Sequence, residues 1–211
     1  ALAVQCDIRD EEMIQAAVTS AVEAFGGIDI VINNASAIAL TKTDETKTNR
    51  FDLMHDINVR GTFLVTKTCV PWLKKSTHAH ILTLSPPVNL NPKWLGGHIA
   101  YTMSKYNMTI MALGWAEEFK NIPIASNALW PMTTIDTAAV RNLLGGEALV
   151  NMSRKPDIMA DAAFNILNKE PKACTGNAFI DEEVLKQNGI SNLDDYSVIP
   201  GAKLYKDLFL D

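Results

Sequence analysis

Residues 27–35 read GIDIVINNA, an apolar run that ends in two asparagines and a small residue where a polar stretch begins. A continuous apolar run this short is typical of a strand that is buried on both faces of a parallel sheet. Residues 79–85 (AHILTLS) and 122–129 (IPIASNAL) repeat the pattern, and helical patterns separate the three runs. This alternation predicts an α/β fold whose parallel sheet is covered by helices on both sides.

The predicted elements cover most of the chain and show no internal boundary, so we expect a single domain over residues 1–211. Asp10 is placed to cap the first helix and Gly26-Gly27 to end it, and Pro71 predicts a kink near the end of the longest helix. The Pro- and Asn-rich residues 86–98 predict a loop. In order, we expect a strand at 2–6, a helix to about 25, a strand at 28–33, a helix from about 50 to 75, a strand at 79–85, a helix at 101–119, a strand at 122–129, a helix near 158–168 and a short strand near 177–180.

The composition excludes several classes of protein. The chain of 211 residues is 47% hydrophobic and 20% charged, which suits one sizeable buried core. Its net charge of -5 and pI of about 5.4 argue against nucleic acid or an anionic membrane as a partner. No apolar stretch approaches the roughly 20 residues of a membrane helix, and no targeting signal is recognisable, so we expect an intracellular protein.

The cysteines and histidines do not form a pattern that indicates a disulfide framework or a metal site. Cys6, Cys69 and Cys174 are far apart, so reduced thiols are expected. His78 and His80 stand two apart without acidic or thiol partners at ligand spacing. We therefore predict no metal.

Tyr101 and Lys105 stand four residues apart in the predicted helix, which places them on one face. A phenol is a poor acid near neutral pH unless a nearby positive charge lowers its pKa. The redox step between an alcohol and a carbonyl needs a group that gives or takes one proton. The pair therefore predicts a proton-transfer device, although the same spacing also arises by chance on amphipathic helices.

The motifs along the chain, in their order, resemble those of the short-chain dehydrogenase/reductase family. They are the strand that ends at Asn33-Asn34-Ala35, Asn58 within a long helical pattern, Ser85 at the end of a strand, the Tyr101-to-Lys105 spacing, and Pro131 after a third strand. The resemblance covers nearly all of the chain. Residues 85–92, 127–131 and 207–211 resemble one branch of the family in particular.

The resemblance implies a Rossmann-like doubly wound sheet and an NAD- or NADP-dependent interconversion of an alcohol and a ketone. It implies that Tyr101 is the acid/base, that Lys105 lowers its pKa and holds the cofactor ribose, that Asn58 supports the proton relay, and that Ser85 polarises the substrate oxygen. The remaining cofactor contacts it implies are Asp7 near the adenine, the backbone around Asn33, Asn34 and Ala35 along the ribose, and Pro131 and Thr134 near the nicotinamide. It also implies that the Asn33 side chain is a structural tie.

The sequence departs from the family at three places. Pro86, without a hydroxyl, occupies the second position of the usual serine pair, and Ser85 lies 16 residues before Tyr101, so either Ser85 or another group such as Asn89 would hold the oxygen. Ser36 and Met132 replace glycines where a cofactor would pass close to the backbone. These departures leave open a catalytically weak or silent binding module.

The first ten residues resemble the family's third strand and its exit, and no glycine-rich turn precedes them. By resemblance, two strands and two helices are missing, so we expect a fragment with an exposed hydrophobic sheet edge. We expect the chain as written to bind a nicotinamide dinucleotide poorly, because that turn forms the pyrophosphate site. The resemblance allows a cytoplasmic, peroxisomal or mitochondrial location.

The expected partners are a small apolar carbonyl or alcohol substrate and further copies of the chain. An apolar wall for the substrate, or simply a lid over the core, is predicted from Val88, Leu90, Trp94, Leu95 and Trp130. By resemblance, the two long helices form the interface of a homodimer or homotetramer, and its large apolar groups are expected to be Trp72, Met111 and Trp115.

Overall fold

The computed structural model describes residues 1–211 and contains one sheet of four parallel strands. They are β1 (Ile30–Asn33), β2 (Ala79–Leu84), β3 (Ile124–Trp130) and β4 (Ala178–Ile180), and their order in the sheet is β1-β2-β3-β4. Because all four strands run the same way, their carboxyl ends meet at one edge of the sheet. The predicted α/β fold with a parallel, Rossmann-like sheet is confirmed.

Eight α-helices accompany the sheet, and none of them is both long enough and apolar enough to cross a bilayer. Two segments have π-helical hydrogen bonding, at His55–Gly61 and Val140–Leu144. The α-helices are α1 (Glu11–Phe25), α2 (Thr48–Met54), α3 (Thr62–Leu73), α4 (Pro92–Gly96), α5 (Ile99–Glu118), α6 (Gly146–Val150), α7 (Asp157–Leu167) and α8 (Asp181–Gln187).

Helix α1 begins and ends as its sequence predicts. The Asp10 carboxylate accepts hydrogen bonds from the backbone N–H groups of Glu12 and Met13, which would otherwise lack partners in the first turn. At the other end, Gly26 adopts a left-handed conformation with φ of 86°, which favours glycine.

The sheet separates two apolar layers. Neighbouring residues of β2 point to opposite faces, so Ile81 packs in one layer and Leu82 in the other. The first layer lies under α1, α3 and α5, with Ile14, Leu73 and Trp115 among its members. The second layer lies under α7 and α8. Helices therefore cover both faces, and the carboxyl edge of the sheet stays available for a site.

The long helix predicted at 50–75 is divided into α2, the π-helical segment and α3. The helix continues through Pro71 to Leu73, so the departure from α-helical hydrogen bonding lies upstream of the proline. Gly61 ends the π-helical segment where a Cβ atom would lie 2.6 Å from the Ile8 side chain. Any larger residue would therefore require the Ile8 side chain to shift.

The predicted strand at 2–6 is wrong, because these residues pair with no other strand. A strand needs a hydrogen-bonding neighbour, and β1 is the edge of the sheet. Ile30 and Ile32 of β1 are exposed, which gives the expected hydrophobic edge. The loop prediction at 86–98 missed α4, and α6 and α8 were not predicted.

The three residues expected at a subunit interface differ in burial, since Trp115 is buried within the chain whereas Trp72 and Met111 are half-buried. Trp115 is 7% exposed and belongs to the layer under α1 and α3, and Trp72 and Met111 pack against that layer. Trp115 is buried because it lies on the side of α5 that faces the sheet, and other residues of α3 and α5 face outward. The exposed apolar residues of these two helices are Phe63, Met103, Ile110 and Leu113.

Candidate active site

A cavity of about 910 Å³ lies at the carboxyl edge of the sheet. Its floor includes Asn34 after β1, Leu84 at the end of β2, and Trp130 and Pro131 at the end of β3. Ligands of open parallel sheets bind at this edge, because the loops that follow the strands converge there. Sixteen of its 25 lining residues are hydrophobic, so the cavity suits an apolar ligand.

Helix α5 brings Tyr101 and Lys105 to this cavity from one face, as their spacing predicts. Both residues are buried, and the Tyr101 hydroxyl has no hydrogen-bond partner within the chain. The Lys105 Nζ donates to the Leu84 carbonyl oxygen at 2.6 Å and lies 5.1 Å from the centre of the Trp130 ring. The lysine is therefore held in place, while the phenol is free to bond with a ligand.

Burial controls the protonation of this pair. Desolvation, with a smaller contribution from Asp207, raises the pKa of the Tyr101 phenol above its usual value. Desolvation also lowers the pKa of Lys105 to about 7, and Asp207 opposes that shift. The expected lowering of the tyrosine pKa is therefore not found, since desolvation dominates. The phenol keeps its proton.

Asn58 lies in the π-helical segment and joins three parts of the chain. Its side-chain oxygen accepts from the Ala37 N–H at 2.7 Å, and its amide donates to the Ala37 carbonyl and to the Ser104 hydroxyl, both at 2.9 Å. Ser104 precedes Lys105 on α5. Asn58 therefore fixes the loop after β1 against the helix that carries the Tyr-Lys pair, and all of its side-chain polar atoms are used.

The structure does not bring Ser85 or Asn89 to the cavity. The fully buried Ser85 hydroxyl is hydrogen-bonded to the Thr109 hydroxyl at 2.8 Å, just beyond the end of β2. The Asn89 amide donates to the Phe209 carbonyl at 3.1 Å and to the Asp211 carboxylate at 2.9 Å. Neither residue lines the cavity, since Ser85 is tied to Thr109 of α5 and Asn89 to the C-terminal residues.

The predicted cofactor residues divide between two neighbouring cavities. Asn34, Pro131 and Thr134 line the large cavity together with the Tyr-Lys pair. Asp7 and Ala35 line a second cavity of about 530 Å³, and Ser36 lines both. The Asp7 carboxylate pairs with Arg9, which lowers its pKa to about 2. The two cavities therefore adjoin at Ser36.

Asn33 lies apart from both cavities. Its amide donates to the Thr66 hydroxyl at 3.0 Å and to the Thr83 hydroxyl at 3.4 Å. These contacts join β1, α3 and β2 at the end of the sheet. Asn33 is thus placed as a structural tie, and its predicted contact with a cofactor would have to come from the backbone beside it.

The two residues that replace family glycines leave the large cavity open. Met132 lies outside its lining and packs in the apolar cluster around Tyr101 and Trp130, while its N–H donates to Asp181 at 2.8 Å. Ser36 is exposed and does not adopt a positive φ, so its backbone does not require glycine. Tyr101 and Lys105 fit the nicotinamide half of a dinucleotide, whereas the Thr134 hydroxyl already donates to that of Ser153 at 2.7 Å and offers only its oxygen as an acceptor.

The apolar wall of the cavity comes mainly from a segment that the sequence did not indicate. Among the five residues predicted for the wall, only Trp130 lines the cavity, while Trp94 and Leu95 pack in the cluster behind it. Val88 and Leu90 are exposed. The wall is built by Ile38, Leu40, Ile135, Val140, Leu143, Leu144, Leu149, Met152 and Met159. The apolar residues around Gly145-Gly146 are the sequence feature that could have indicated this wall.

The last residues of the chain form another unpredicted part of the site. Tyr205, Asp207 and Leu208 line the cavity. Phe209 is buried, with its ring centre 6.2 Å from that of Tyr101 and 5.1 Å from that of Tyr106. Its φ of 72° is the only positive value at a residue other than glycine. The apolar pattern of residues 207–211 was visible in the sequence, but its position was not.

Comparison with known proteins identifies the family. The family model for short chain dehydrogenase matches residues 1–147. The chain belongs to the short-chain dehydrogenase family. It is 58% identical over 205 residues to hydroxysteroid dehydrogenase-like protein 2 of Bos taurus and 56% identical to the Homo sapiens protein of that name. In both cases the match covers 97% of this chain and 48% of the relative, so the chain spans about half the length of these relatives.

Solved structures agree with this assignment to the short-chain dehydrogenases. A short chain dehydrogenase from Mycobacterium thermoresistibile superposes with a TM-score of 0.90 at 51% identity, covering 98% of this chain and 73% of its own. The 3-ketoacyl-(acyl-carrier-protein) reductase of Brucella melitensis, complexed with NADH, gives 0.74 at 26% identity, covering 85% and 76%. Residues 85–92, 127–131 and 207–211 indicated one branch of the family, and the similarity to hydroxysteroid dehydrogenase-like protein 2 confirms that branch.

Proposed function

We propose that the chain carries the catalytic half of an NAD- or NADP-dependent oxidoreductase that interconverts an alcohol and a ketone on an apolar substrate. The observation that supports this most strongly is the Tyr101 hydroxyl, which faces a large apolar cavity without a partner in the chain, one helical turn before Lys105. A buried phenol with a free hydroxyl is suited to hydrogen-bond the oxygen of a ligand.

Tyr101 is the proton donor in the reductive direction. Burial keeps the phenol protonated, which is the form that can give a proton to a developing alkoxide. The ring is held by Phe209 and by the buried face of α5, so the hydroxyl is oriented before the substrate arrives. In the oxidative direction the same hydroxyl would receive help from a charged Lys105, whose field favours the phenolate.

A bound nicotinamide would give or accept the hydride. Lys105, Thr134 and the backbone beside Asn34 would hold its riboside, since they share the cavity with Tyr101. The apolar wall would exclude water from the carbonyl and so strengthen the hydrogen bond from Tyr101.

One observation favours a second candidate, a catalytically weak or silent binding module. The Ser85 hydroxyl is hydrogen-bonded to Thr109 and does not line the cavity, so Ser85 does not assist Tyr101 at the substrate oxygen. A single donor would polarise a carbonyl less than two donors. The two candidates differ in turnover and agree in ligand binding.

The test is to assay the intact protein against a panel of apolar ketones with both reduced cofactors, beside Tyr101→Phe. The variant keeps the ring and its packing and loses only the hydroxyl. We expect kcat to fall by about 100-fold or more while cofactor affinity changes little. Equal turnover in both proteins would refute the role of Tyr101. Ligand binding without turnover in the parent would favour the binding module.

A further inference from the structure

The C-terminal segment carries an acidic residue into the cavity and holds it there. Asp207 donates its N–H to the Met132 carbonyl at 3.1 Å, and Tyr205 accepts from the Thr134 N–H at 3.0 Å, so residues 205–207 run beside the segment that follows β3. Beyond it, Phe209 is buried among aromatic rings. Asp207 is thus fixed by backbone bonds on one side and by packing on the other.

Asp207 and Lys105 are the only acidic and the only basic residues that line this cavity. Nearly all of the surrounding surface is apolar or uncharged. A charge in such surroundings is costly unless an opposite charge compensates it. Lys105 has no carboxylate within 4.0 Å, and its one hydrogen bond goes to the neutral Leu84 carbonyl. Asp207 is therefore the one opposite charge facing the lysine within the cavity.

The other ionisable groups around the pair already have partners or are neutral. Asp181, at the start of α8, accepts the N–H groups of Met132 and Glu182, and Glu182 pairs with Arg154 and Lys186. The Lys206 ammonium donates to the Asp211 carbonyl at 2.5 Å, and the Tyr101 phenol is uncharged. The His98 ring packs against Tyr101, and burial lowers its pKa, so it is neutral near pH 7.

We propose that Asp207 is the counter-ion of the Lys105 ammonium and thus a positioning residue, which keeps the lysine charged inside an apolar cavity. This inference rests on the proposed function, in which a charged Lys105 holds the cofactor and assists the tyrosine. The pKa directions agree. Burial lowers the pKa of Lys105 and the Asp207 charge raises it. Burial and then the nearby Asp181 charge raise the pKa of Asp207 to about 6, while the Leu208 N–H and, to a smaller extent, Lys105 act to lower it.

The test is to measure the pKa of Lys105 by competitive labelling with acetic anhydride as a function of pH, with mass spectrometry of the peptide that carries it. The intact parent is compared with Asp207→Asn, which keeps the shape of the side chain, and with Asp207→Glu, which keeps the charge. Glu183→Gln is the matched control, because Glu183 is an exposed acid near Asp181 that makes no hydrogen bond through its side chain.

We expect Asp207→Asn to lower the pKa of Lys105 by about one unit. The alkaline limb of the profile of log(kcat/KM) against pH should shift to lower pH by the same amount. Asp207→Glu should restore most of the shift, and Glu183→Gln should produce none. A folded Asp207→Asn protein whose Lys105 titrates as in the parent, or a shift that Glu183→Gln reproduces, overturns the proposal.

A reciprocal measurement covers the case in which Asp207→Asn fails to fold. Coupling between two titrating groups is the same from either side, so Lys105→Met should raise the pKa of Asp207 by a similar amount. Carbon-13 NMR of aspartate carboxyls reports this, with the signal assigned by its loss in Asp207→Glu. An unchanged Asp207 pKa refutes the inference. Labelling needs no turnover, so an inactive parent with a shifted Lys105 would refute the proposed function alone.

Discussion

The Thr109 and Ser85 hydroxyls are hydrogen-bonded to each other at 2.8 Å, and both side chains are fully buried. Thr109 also bonds to the Pro86 carbonyl at 2.6 Å, so one threonine of α5 holds the chain where β2 ends. The Ser85 hydroxyl, which the sequence suggested as a catalytic group, therefore joins the end of β2 to α5. Its partner Thr109 lies one helical turn beyond Lys105.

The first prediction is that Ser85→Ala affects stability more than turnover. Removing the hydroxyl leaves Thr109 with the Pro86 carbonyl as its remaining partner, so the free energy of unfolding should fall by about 1 kcal/mol. Turnover of an apolar ketone should stay within about threefold of the parent, since no group of the cavity is removed. Thr109→Val is the matched variant, and urea unfolding with steady-state kinetics are the measurements. A loss of kcat near that of Tyr101→Phe would restore the catalytic role of Ser85.

The second prediction concerns Phe209, which is 1% exposed and contacts the rings of Trp94, His98, Tyr101, Tyr106 and Trp130. Phe209→Ala should lower the free energy of unfolding by about 3–5 kcal/mol, because it leaves a void in a packed aromatic cluster. Turnover should fall as well, since the ring that supports Tyr101 is lost.

The control for this variant is Phe164→Ala on α7, where the ring is 68% exposed. We expect a change below about 0.5 kcal/mol there. Thermal unfolding and kinetics of both variants give the comparison. If Phe209→Ala were as stable and as active as the control, the C-terminal segment would not support the site.

The third prediction decides which segment forms the substrate wall. Leu143 lines the cavity and is 68% exposed, while Leu90 of the loop at 86–98 lies outside it and is 72% exposed. Because both side chains reach solvent, an aspartate at either position should be tolerated by the fold. Leu143→Asp should lower kcat/KM for apolar ketones by about tenfold, since a methylene-sized loss of apolar contact already costs 1–3 kcal/mol. Leu90→Asp should not. The reverse result would assign the wall to the loop.

Local patterns predicted much of the fold and the centre of the site. The i,i+4 spacing of Tyr101 and Lys105 needs only one helix to place both side chains on one face. The α1 boundaries follow from Asp10 and Gly26, whose effects act within a single turn. Short apolar runs predicted the strands, because a strand buried in a parallel sheet is marked by its own residues.

What could not be predicted depends on contacts between distant parts of the chain. Asp207 lines the same cavity as Lys105 only because the C-terminal segment pairs with residues after β3, and nothing in the neighbouring sequence indicates that pairing. The direction of Ser85 depends on Thr109, 24 residues later. The strand expected at 2–6 follows its own apolar pattern, but strand formation depends on a neighbour that residues 1–211 do not place beside it.

The fourth prediction concerns assembly through α3 and α5, which we propose as the interface of a homodimer or homotetramer. Ile110 on α5 is 56% exposed, and Met103 and Leu113 on the same helix and Phe63 on α3 are exposed as well. Ile110→Glu should dissociate the assembly and leave the fold intact, because a charge would be buried at the contact. Trp115→Ala should instead destabilise the protomer, since that ring is in the core. Light scattering and circular dichroism distinguish the two. A parent that is monomeric at high concentration would exclude this interface.

The fifth prediction concerns Asp181, whose carboxylate is fully buried between the segment after β3 and α8. One oxygen accepts two backbone N–H groups, and the other has no partner. Burial raises the pKa of this carboxyl to about 6, against about 3.9 in an unfolded chain. Between these values the folded state binds the extra proton, so its stabilising effect is complete below about pH 4 and is lost as the pH rises through 6.

Asp181→Asn removes this titration. Relative to the parent, the variant should therefore gain about 2–3 kcal/mol in free energy of unfolding between pH 4 and pH 7, whatever its absolute stability. Urea unfolding at half-unit pH steps measures the difference. Glu183→Gln, an exposed position on the same helix, should run parallel to the parent at every pH. A difference between Asp181→Asn and the parent that stays constant across this range would show that Asp181 keeps its charge in the folded chain. The unpartnered oxygen would then need a cation or a water to stabilise it, because an isolated carboxylate is not tolerated at this depth.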